Sequence, residues 1–524
     1  MRRTFLLAFA AFFLLGAAWA VALPVNGTYD EKHHIVRAYA VAHGDLLPAG
    51  PASDGTTFGS EGFDVPASLL PGNVNCTHLP NRGPATCLSP AGDRSERVRQ
   101  PSAAARYSPV YYLPVGLPLL VSPDRSGIVA ARLVSALIAA LLLAAAVAIG
   151  GSAGVALVAT PMVMNLSGSL NPNGVEIAAG VLLFAALSAL LRGGIPGPAL
   201  SHGGVTGPPR GTAPAVHRGL AVCAGVAAFI LLTVRPPLGP VLFAVDVAAC
   251  ALLAGRGRVA ALWRDRATRL VLAGFALAGV AVTGIWTAVS GGPDTSAVPD
   301  RAISGNILRQ IAMDRWHFYV NQVVGQFGYG EVTISRYAIY LWYALWLVVL
   351  VPALIRAGWR LRLVLAGLAA FCLAVVVALD LRFAPLSGWF AHSRYVLPTA
   401  VGIVLLAVAY GRAPSGRWLP LALVAVTVPI HLYALARVLN RFRAGLDAPL
   451  DPFGGGWHPA GGPLLPLLLA VAGLAVLLGL SYTERDVRGL RVTLAQGPDN
   501  GIVTSNGQSA SVVTKASTTD AASH

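Results

Sequence analysis

Two adjacent carboxylates, Asp30 and Glu31, follow the first apolar segment of the chain. The residues from Thr4 to Leu23 are apolar or small, so this segment is long enough to cross a bilayer. A carboxylate at the membrane surface could remove a proton from an acceptor hydroxyl while the leaving group stays anchored in lipid. We therefore predict Asp30 as a catalytic base, with Glu31 orienting it or helping to hold Mg²⁺ or Mn²⁺. A solvated acidic pair at a helix start, favoured by the helix dipole, is the alternative.

His33, His34 and Arg37 follow the acidic pair and are candidates for substrate binding. The pattern predicts a short amphipathic helix here, which Gly44 ends. Histidines beside two acids could bind a divalent metal. Ordinary surface histidines are the alternative, because the sequence defines no complete ligand set.

Arginines at the outer ends of apolar segments form a second group, in which Arg235, Arg336 and Arg394 run against the distribution of the other arginines. Arginine binds phosphate through two parallel charge-assisted hydrogen bonds. These three are predicted to bind a donor phosphate, with Tyr395 and His392 hydrogen-bonding phosphate or sugar. The alternative is that the long side chains reach lipid phosphates at the membrane surface.

Polar side chains also interrupt the apolar pattern at Asn171, Asn173 and Glu176. An ionisable group within a span costs roughly 2.5–3.5 kcal/mol on insertion scales, so it usually faces a cavity or a partner. These three residues are further candidates for substrate binding.

Composition defines the class of protein. Of 524 residues, 55% are hydrophobic and 12% are charged, whereas soluble proteins carry roughly a quarter charged residues. The net charge of +15 comes almost entirely from arginine, since lysine occurs only at Lys32 and Lys515. Without a basic soluble domain, this charge indicates membrane lipids rather than nucleic acid as partners. The sequence contains no phosphate-loop or zinc-protease motif and no convincing nucleophile elbow. The lack of a phosphate loop argues against transport driven by nucleotide hydrolysis.

Apolar length predicts an all-α integral membrane protein with about twelve transmembrane helices. Pro161 and the Arg235-Pro236-Pro237 run make the third and fifth spans the weakest predictions. The predicted spans are 4–23, 127–149, 152–170, 174–191, 219–234, 238–255, 269–290, 337–356, 361–380, 394–411, 418–437 and 463–482.

Basic loops predict the orientation. With the N-terminus inside, the short arginine-rich loops all fall on the cytoplasmic side of the inner membrane, including those with Arg210, Arg412 and Arg417. Residues 1–482 then form the membrane domain, and 483–524 form a cytoplasmic tail predicted to be disordered. The outer side receives a large first loop, 24–126, and two further loops, 291–336 and 438–462.

Two alternatives concern processing. Ala18-Trp19-Ala20 resembles a signal cleavage site after Ala20, although the apolar stretch is long for a signal peptide; sequencing the mature N-terminus would distinguish the two. Cys76 and Cys87 in the large loop could close a disulfide, which would fit an extracytoplasmic location.

Several strings together resemble a bacterial multi-pass membrane family of unknown function, the DUF2142-like proteins, over about residues 5–480. The strings are Pro24 to His34, Gly168 to Ala179, Arg235 to Pro240, Gly325 to Tyr329 and Ser393 to Pro398. That family in turn resembles the GT-C superfamily of membrane glycosyltransferases.

The resemblance implies a helical bundle with a large first outer loop, a polyprenyl-phosphate-linked sugar donor, and an early acidic residue of that loop as catalytic base, a position that Asp30 and Glu31 match. The acceptor would be a cell-envelope glycan or lipid. The chain lacks the sizeable soluble C-terminal domain of many GT-C enzymes, which puts acceptor binding in doubt. The expected function is inverting sugar transfer; the alternative is a transporter or flippase of a lipid-linked or small anionic solute, which would also use outer arginines and Glu176.

Overall fold

The computed structural model describes residues 1–53, 61–78, 80–193, 214–292, 301–411 and 418–495. Arg210, Arg412 and Arg417, which the charge pattern predicts to be cytoplasmic, lie outside the described residues. The same holds for residues 496–524 of the predicted tail.

Helices make up most of the described chain. In order they are α1 (Arg2–Ala22), α2 (Glu31–Ala42), α3 (Pro109–Val121), α4 (Arg125–Gly150), α5 (Ser152–Val158), α6 (Pro161–Ser167), α7 (Pro172–Arg192), α8 (Pro214–Val234), α9 (Leu238–Ala254), α10 (Arg256–Arg264), α11 (Arg266–Ser290), α12 (Ile307–Gln310), α13 (Trp316–Val324), α14 (Arg336–Arg356), α15 (Trp359–Ser387), α16 (Leu397–Tyr410), α17 (Leu419–Ala444) and α18 (Leu464–Ala495). A π-helical turn at Ile311–Arg315 joins α12 to α13.

Within the described ranges, nine helices are long and apolar enough to cross a membrane, or ten if a bent pair counts as one span. The membrane class and the helical fold are thus as predicted, but the count of about twelve is not confirmed. The predicted third span is divided into α5 and α6, and the predicted tenth is the short helix α16. Pro161 does not merely interrupt a helix: it occupies the first turn of α6, where Thr160 caps the helix.

The predicted sixth span forms the bent pair. Helix α9 ends at Gly255, which has a positive φ of 79°, and α10 then leaves at 109° to α9. Glycine adopts this conformation without the steric cost that a side chain imposes. At the C-terminal end, α18 continues to Ala495 and so extends into the segment predicted as a disordered tail.

The large segment 24–126 is ordered around its own small elements. Strands β1 (Gly50–Pro51), β2 (Glu61–Pro66) and β3 (Arg97–Pro101) form an antiparallel sheet, in which Val65 pairs with Val98. Helix α2 packs against this sheet and against α3. Cys76 and Cys87 form a disulfide. The predicted amphipathic helix is therefore present as α2, but it is enclosed on nearly all sides rather than lying on a surface.

Helix α7 is the centre of the bundle, because nearly all of its residues are buried. It packs against α4, α8 and α16, whereas α1 packs between α4 and α18. This arrangement explains how Asn173 and Glu176 can lie within a span: protein rather than lipid surrounds them. Two further strands, β4 (Gln326–Phe327) and β5 (Val332–Thr333), form a hairpin before α14.

Gly180 allows α7 and the start of α16 to approach closely. A β-carbon at this position would collide with the backbone of Pro398. Since Pro398 follows His392, Arg394 and Tyr395 by only a few residues, this close approach sets the position of the segment that carries three predicted site residues.

We expect Gly180→Ala to destabilise the protein by about 1–3 kcal/mol, because backbone atoms must move to admit the methyl group. Gly367→Ala is the control: it lies in α15, and a β-carbon there meets nothing within 4 Å, so it should be neutral or slightly stabilising. Thermal unfolding in one detergent measures both. Equal melting temperatures for the two variants would contradict the proposed close packing.

Candidate functional site

Asp30 lies at the junction between α1 and α2, in the N-cap position of α2. Its backbone is left-handed, with φ 58° and ψ 9°, whereas N-cap residues usually adopt the extended region. Its carboxylate makes no capping hydrogen bond to the helix. The alternative reading of Asp30 as a simple helix cap therefore does not describe its side chain, which remains available for another partner.

That partner is Arg394, 364 residues further along the chain. The Arg394 Nη2 donates to the Asp30 carboxylate, and the two groups form an ion pair. The Arg394 side chain is 0% exposed, while the Asp30 side chain is 37% exposed. The guanidinium also lies 4.3 Å from the centre of the Tyr29 ring. Its Nε and Nη1 have no well-formed hydrogen bond among the described residues, which leaves donor capacity for an anion.

Arg235 reaches the same place from the end of α8. Its Nη2 donates to the Tyr395 carbonyl over 3.0 Å, and its Nε lies 3.3 Å from a Glu176 oxygen. The guanidinium centre is 4.5 Å from the Tyr395 ring, and that of Arg394 is 5.3 Å from the same ring. Two arginines from distant parts of the sequence therefore converge on Tyr395, a short distance from the Asp30 carboxylate.

A cavity of about 380 Å³ lies in front of these groups. Its wall combines Asp30 with aromatic rings, histidines and two further arginines: Tyr29, His33, His34, Tyr107, Arg301, Arg315, Phe318, Tyr329, Trp389, Phe390, His392 and Tyr395. Aromatic surfaces with a few convergent polar groups are characteristic of a small-molecule site. The cavity is thus the place where a ligand could contact Asp30.

Glu31 occupies a different environment from Asp30. Its two carboxylate oxygens accept from Arg132 over 2.7 and 2.6 Å, and one also accepts from the Leu170 amide over 3.1 Å. Arg132 uses its remaining hydrogens on the carbonyls of Ala20, Leu23 and Pro24. Both side chains of the pair are at most 1% exposed. Glu31 therefore connects α1, α2, α4 and the start of α7 and does not line the cavity.

Of the residues that follow Glu31, some line the cavity and others only hold the surrounding chain in place. His33 and His34 line the cavity, and His34 shares a hydrogen bond of 2.8 Å with the Tyr112 hydroxyl. Arg37 is buried and donates to the carbonyls of Leu46 and Tyr107, so it fixes the surrounding segment instead of facing the cavity.

The polar groups at the start of α7 contact the site residues from the side away from the cavity. The Asn171 amide donates to the Tyr29 carbonyl over 2.9 Å, and its oxygen caps the Asn173 amide. Asn173 in turn donates to Glu176, which pairs with Arg235. These three side chains position Tyr29 and Arg235, and none of the three is part of the cavity wall.

Arg336 is not part of the cavity. It is exposed at the start of α14, and its guanidinium approaches only the hydroxyl and ring of the adjacent Tyr337 within the described structure. The prediction that it contacts the donor phosphate is not supported by this geometry. A terminal position on a span fixes depth in the membrane, but it does not fix the side of the helix from which the side chain extends.

Arg315 and Arg301 also line the cavity, although their positions in the sequence did not indicate it. Arg315 donates to the Ala391 carbonyl over 2.9 Å and lies 3.4 Å from the Asp380 carboxylate. Asp380 also accepts the amides of Phe390 and Ala391, which fixes the segment before His392. The aromatic run directly after Arg315, from Trp316 to Tyr319, was the signal that could have identified it.

Burial and neighbouring charges together set the pKa values of the site. Burial alone would raise the pKa of Asp30, but the Arg394 guanidinium, with a smaller contribution from His392, outweighs burial and holds this pKa below its usual value. Burial lowers the pKa of His34 to about 3. Burial and the Arg394 charge also hold the pKa of His392 well below its usual value. At neutral pH the cavity therefore presents the Asp30 carboxylate together with neutral His34 and His392.

The donor set does not fit the expected Mg²⁺ or Mn²⁺. The Glu31 oxygens are occupied by Arg132 and Leu170, and Asp30 is paired with a cation. No group of three or more His, Cys, Asp or Glu side chains with metal-binding geometry occurs in the parts of the chain that are described. No catalytic step is therefore derived through a metal.

The chain belongs to the family described as "Predicted membrane protein (DUF2142)", whose profile matches residues 13–403. No curated protein matches the sequence significantly. Among solved structures, the chain is similar to ArnT from Cupriavidus metallidurans bound to undecaprenyl phosphate, with 15% identity over 92% of this chain and 77% of that chain and a TM-score of 0.39. The apo state of the same protein gives 14% identity over 89% and 75%, with a TM-score of 0.41.

The two adjacent carboxylates should behave differently when neutralised. We expect Glu31→Gln to destabilise the protein by about 3–5 kcal/mol, because it leaves Arg132 buried without its counter-charge. Asp30→Asn also removes the counter-charge of a buried arginine, Arg394, but the Asp30 side of that pair is 37% exposed and open to water, so the effect should be smaller. Unfolding in detergent, followed by temperature, compares them. A double variant, Glu31→Gln with Arg132→Met, should recover part of the loss; no recovery would contradict the assignment of this pair as structural.

Proposed function

We propose that the protein transfers a sugar from a polyprenyl-phosphate-linked donor to an acceptor hydroxyl. The observation that carries the proposal is that Asp30 and Tyr395 line one cavity, while Arg394 and Arg235 lie directly behind them: Arg394 pairs with Asp30, and both guanidinium groups lie over the Tyr395 ring. A proton acceptor and two phosphate-binding groups are the parts that such a displacement requires. All three residues lie in the strings that resemble the DUF2142-like family.

In the proposed reaction, the oxygen of the acceptor hydroxyl attacks the anomeric carbon of the donor sugar. Asp30 takes the hydroxyl proton, and the bond between the anomeric carbon and the phosphate oxygen breaks. The electron pair of that bond leaves with the polyprenyl phosphate. Because the acceptor oxygen attacks in a single displacement from the face opposite the leaving group, the anomeric configuration is inverted. Arg394 and Arg235 stabilise the charge that develops on the leaving phosphate in a site of restricted water access.

The ion pair between Asp30 and Arg394 belongs to the state without substrate. While Arg394 lowers the pKa of Asp30, the carboxylate is a weak base. A donor phosphate competes for the same guanidinium, whose Nε and Nη1 are unsatisfied among the described residues. Once Arg394 binds phosphate, the Asp30 pKa rises because burial is no longer opposed. The base would thus become active only when the donor is bound.

Neutral His392 and the Tyr395 hydroxyl are suited to hydrogen bonds with the sugar or the phosphate, and His33 and His34 face the same space. We propose that this end of the bundle is extracytoplasmic, in the inner membrane, with both termini cytoplasmic, since the arginine-rich loops lie at the other end. The acceptor would then be a cell-envelope glycan or lipid.

We expect Asp30→Asn to reduce sugar transfer by about 10²–10⁴-fold, because the amide cannot accept the proton. Asp64→Asn is the matched control: it neutralises an exposed carboxylate of β2 that pairs with Arg99, in the same segment of the chain. The assay uses purified protein and labelled polyprenyl-phosphate sugars. Full activity in a correctly folded Asp30→Asn variant would refute the role of Asp30, and movement of the labelled lipid across a vesicle membrane without transfer would indicate the transporter instead.

The pH dependence tests the role of Arg394. In the native enzyme, the acid limb of kcat/KM reports free Asp30 and should lie at lower pH than the acid limb of kcat, which reports the donor complex. Arg394→Gln removes the charge that lowers the Asp30 pKa, so its kcat/KM limb should move up by about 1–3 pH units. Arg394→Lys keeps the charge and should retain most of the low value. A kcat/KM limb at the same pH in the native and Gln proteins would exclude control by Arg394.

A further inference from the structure

A second, larger cavity lies at the opposite end of the bundle from the candidate site. Helix α9 begins next to Arg235 and ends at this cavity, and α15 begins at the cavity and ends at Ser387 in the wall of the candidate site. The volume of this cavity is about 1070 Å³. This is at the upper end of the roughly 300–1,000 Å³ that small-molecule pockets occupy.

The bend between α9 and α10 creates this cavity. Because α10 leaves α9 at 109°, it runs nearly parallel to the plane of the membrane if α9 crosses it. Along α10, arginines at both ends flank the apolar run from Val259 to Trp263. Tryptophan and arginine at the end of a span are typical of the level of the lipid head groups.

Most of the cavity wall is apolar and comes from α9, α10 and α15. Ala248 and Leu252 contribute from α9, and Leu363 and Val364 contribute from α15. Leu252 and Leu363 are 62% and 59% exposed, so the cavity opens sideways, where lipid chains would surround the bundle. A laterally open apolar wall of this kind fits acyl chains.

The rim of the cavity has a different chemistry. Trp263 and Trp359 lie at the rim together with Arg256 and Arg360. Tryptophan is enriched at the level of lipid head groups, and arginine there binds phosphate. The Arg360 side chain also approaches Gly255, at the bend itself, so it borders the entrance formed by α9 and α10.

The rim arginines differ from several arginines around the candidate site in having no carboxylate partner in the described part of the chain. Arg132, Arg235, Arg315 and Arg394 each pair with a carboxylate. Arg256 and Arg360 make no such pair with any carboxylate of the described chain. A smaller cavity of about 370 Å³ shares Arg360 and adds Arg356. Two guanidinium groups, those of Arg256 and Arg360, thus border this apolar cavity without a carboxylate partner among the described residues, and Arg356 borders the adjacent smaller cavity.

We propose that this cavity binds an anionic phospholipid of the leaflet opposite the candidate site. The head-group phosphate lies between Arg256 and Arg360, Trp263 and Trp359 flank the glycerol region, and the acyl chains lie along α9 and α15. Charge complementarity selects an anionic lipid over a zwitterionic one, because the latter adds no net negative charge. This inference is independent of the proposed sugar transfer.

The test measures binding of phosphatidylglycerol to the purified full chain in a neutral detergent, by native mass spectrometry, with phosphatidylcholine as the zwitterionic comparison. The test variant is Arg256→Gln with Arg360→Gln. The matched control is Arg264→Gln with Arg266→Gln, two exposed arginines of the same membrane face that are not part of the cavity wall. Both double variants carry the same net charge, and neither alters a residue of the candidate site.

The native protein should retain phosphatidylglycerol in preference to phosphatidylcholine. The test variant should lose roughly fivefold in phosphatidylglycerol affinity for each arginine removed, and the control variant should bind like the native protein. Equal losses in the two double variants would overturn the proposal, because they would indicate general attraction to a basic face. The absence of a preference for phosphatidylglycerol in the native protein would also overturn it.

Discussion

The buried pair of Glu31 and Arg132 is the interaction on which the arrangement of the site depends. One guanidinium binds a carboxylate of α2 and three carbonyls at the end of α1, while the same carboxylate accepts the amide of Leu170. Both side chains are almost completely buried, where an unpaired charge would be strongly destabilising. The turn that carries Asp30 is therefore held from both sides, and its direction is fixed before any ligand binds.

Two neighbouring carboxylates thus have separate tasks. Glu31 has all its acceptor capacity directed at the protein, and Asp30 has part of its surface directed at a cavity. The charges around them follow the same division. Arg132 is enclosed by carbonyl groups, whereas Arg394 retains nitrogen atoms without well-formed hydrogen bonds in the described structure. A rigid pair beside an exchangeable one is the arrangement expected of a preorganised site, in which supporting contacts hold the reactive group in place.

Apolar length and arginine distribution were sufficient to predict a helical membrane protein, because both are properties of sequence that the bilayer imposes directly. They did not indicate that Thr160-Pro161 divides one predicted span into two short helices, or that the chain bends sharply at Gly255. For the site, residue type indicated Asp30, Arg235 and Arg394 as candidates, and the structure brings them together. Residue type did not distinguish Arg336 from Arg315, since only tertiary packing determines which side of a helix faces the cavity. The separate roles of Asp30 and Glu31 were likewise not predictable, because burial decides them.

The left-handed backbone at Asp30 restricts which amino acids can replace aspartate at this position without strain. Asparagine, aspartate and glycine tolerate this conformation, and most other residues add a steric cost. A family member in which this aspartate is replaced would therefore keep its fold most readily with asparagine or glycine at the position. Inactive members with an intact bundle would then be recognisable by one of these two residues, and a glutamate would not be an equivalent replacement despite its carboxylate.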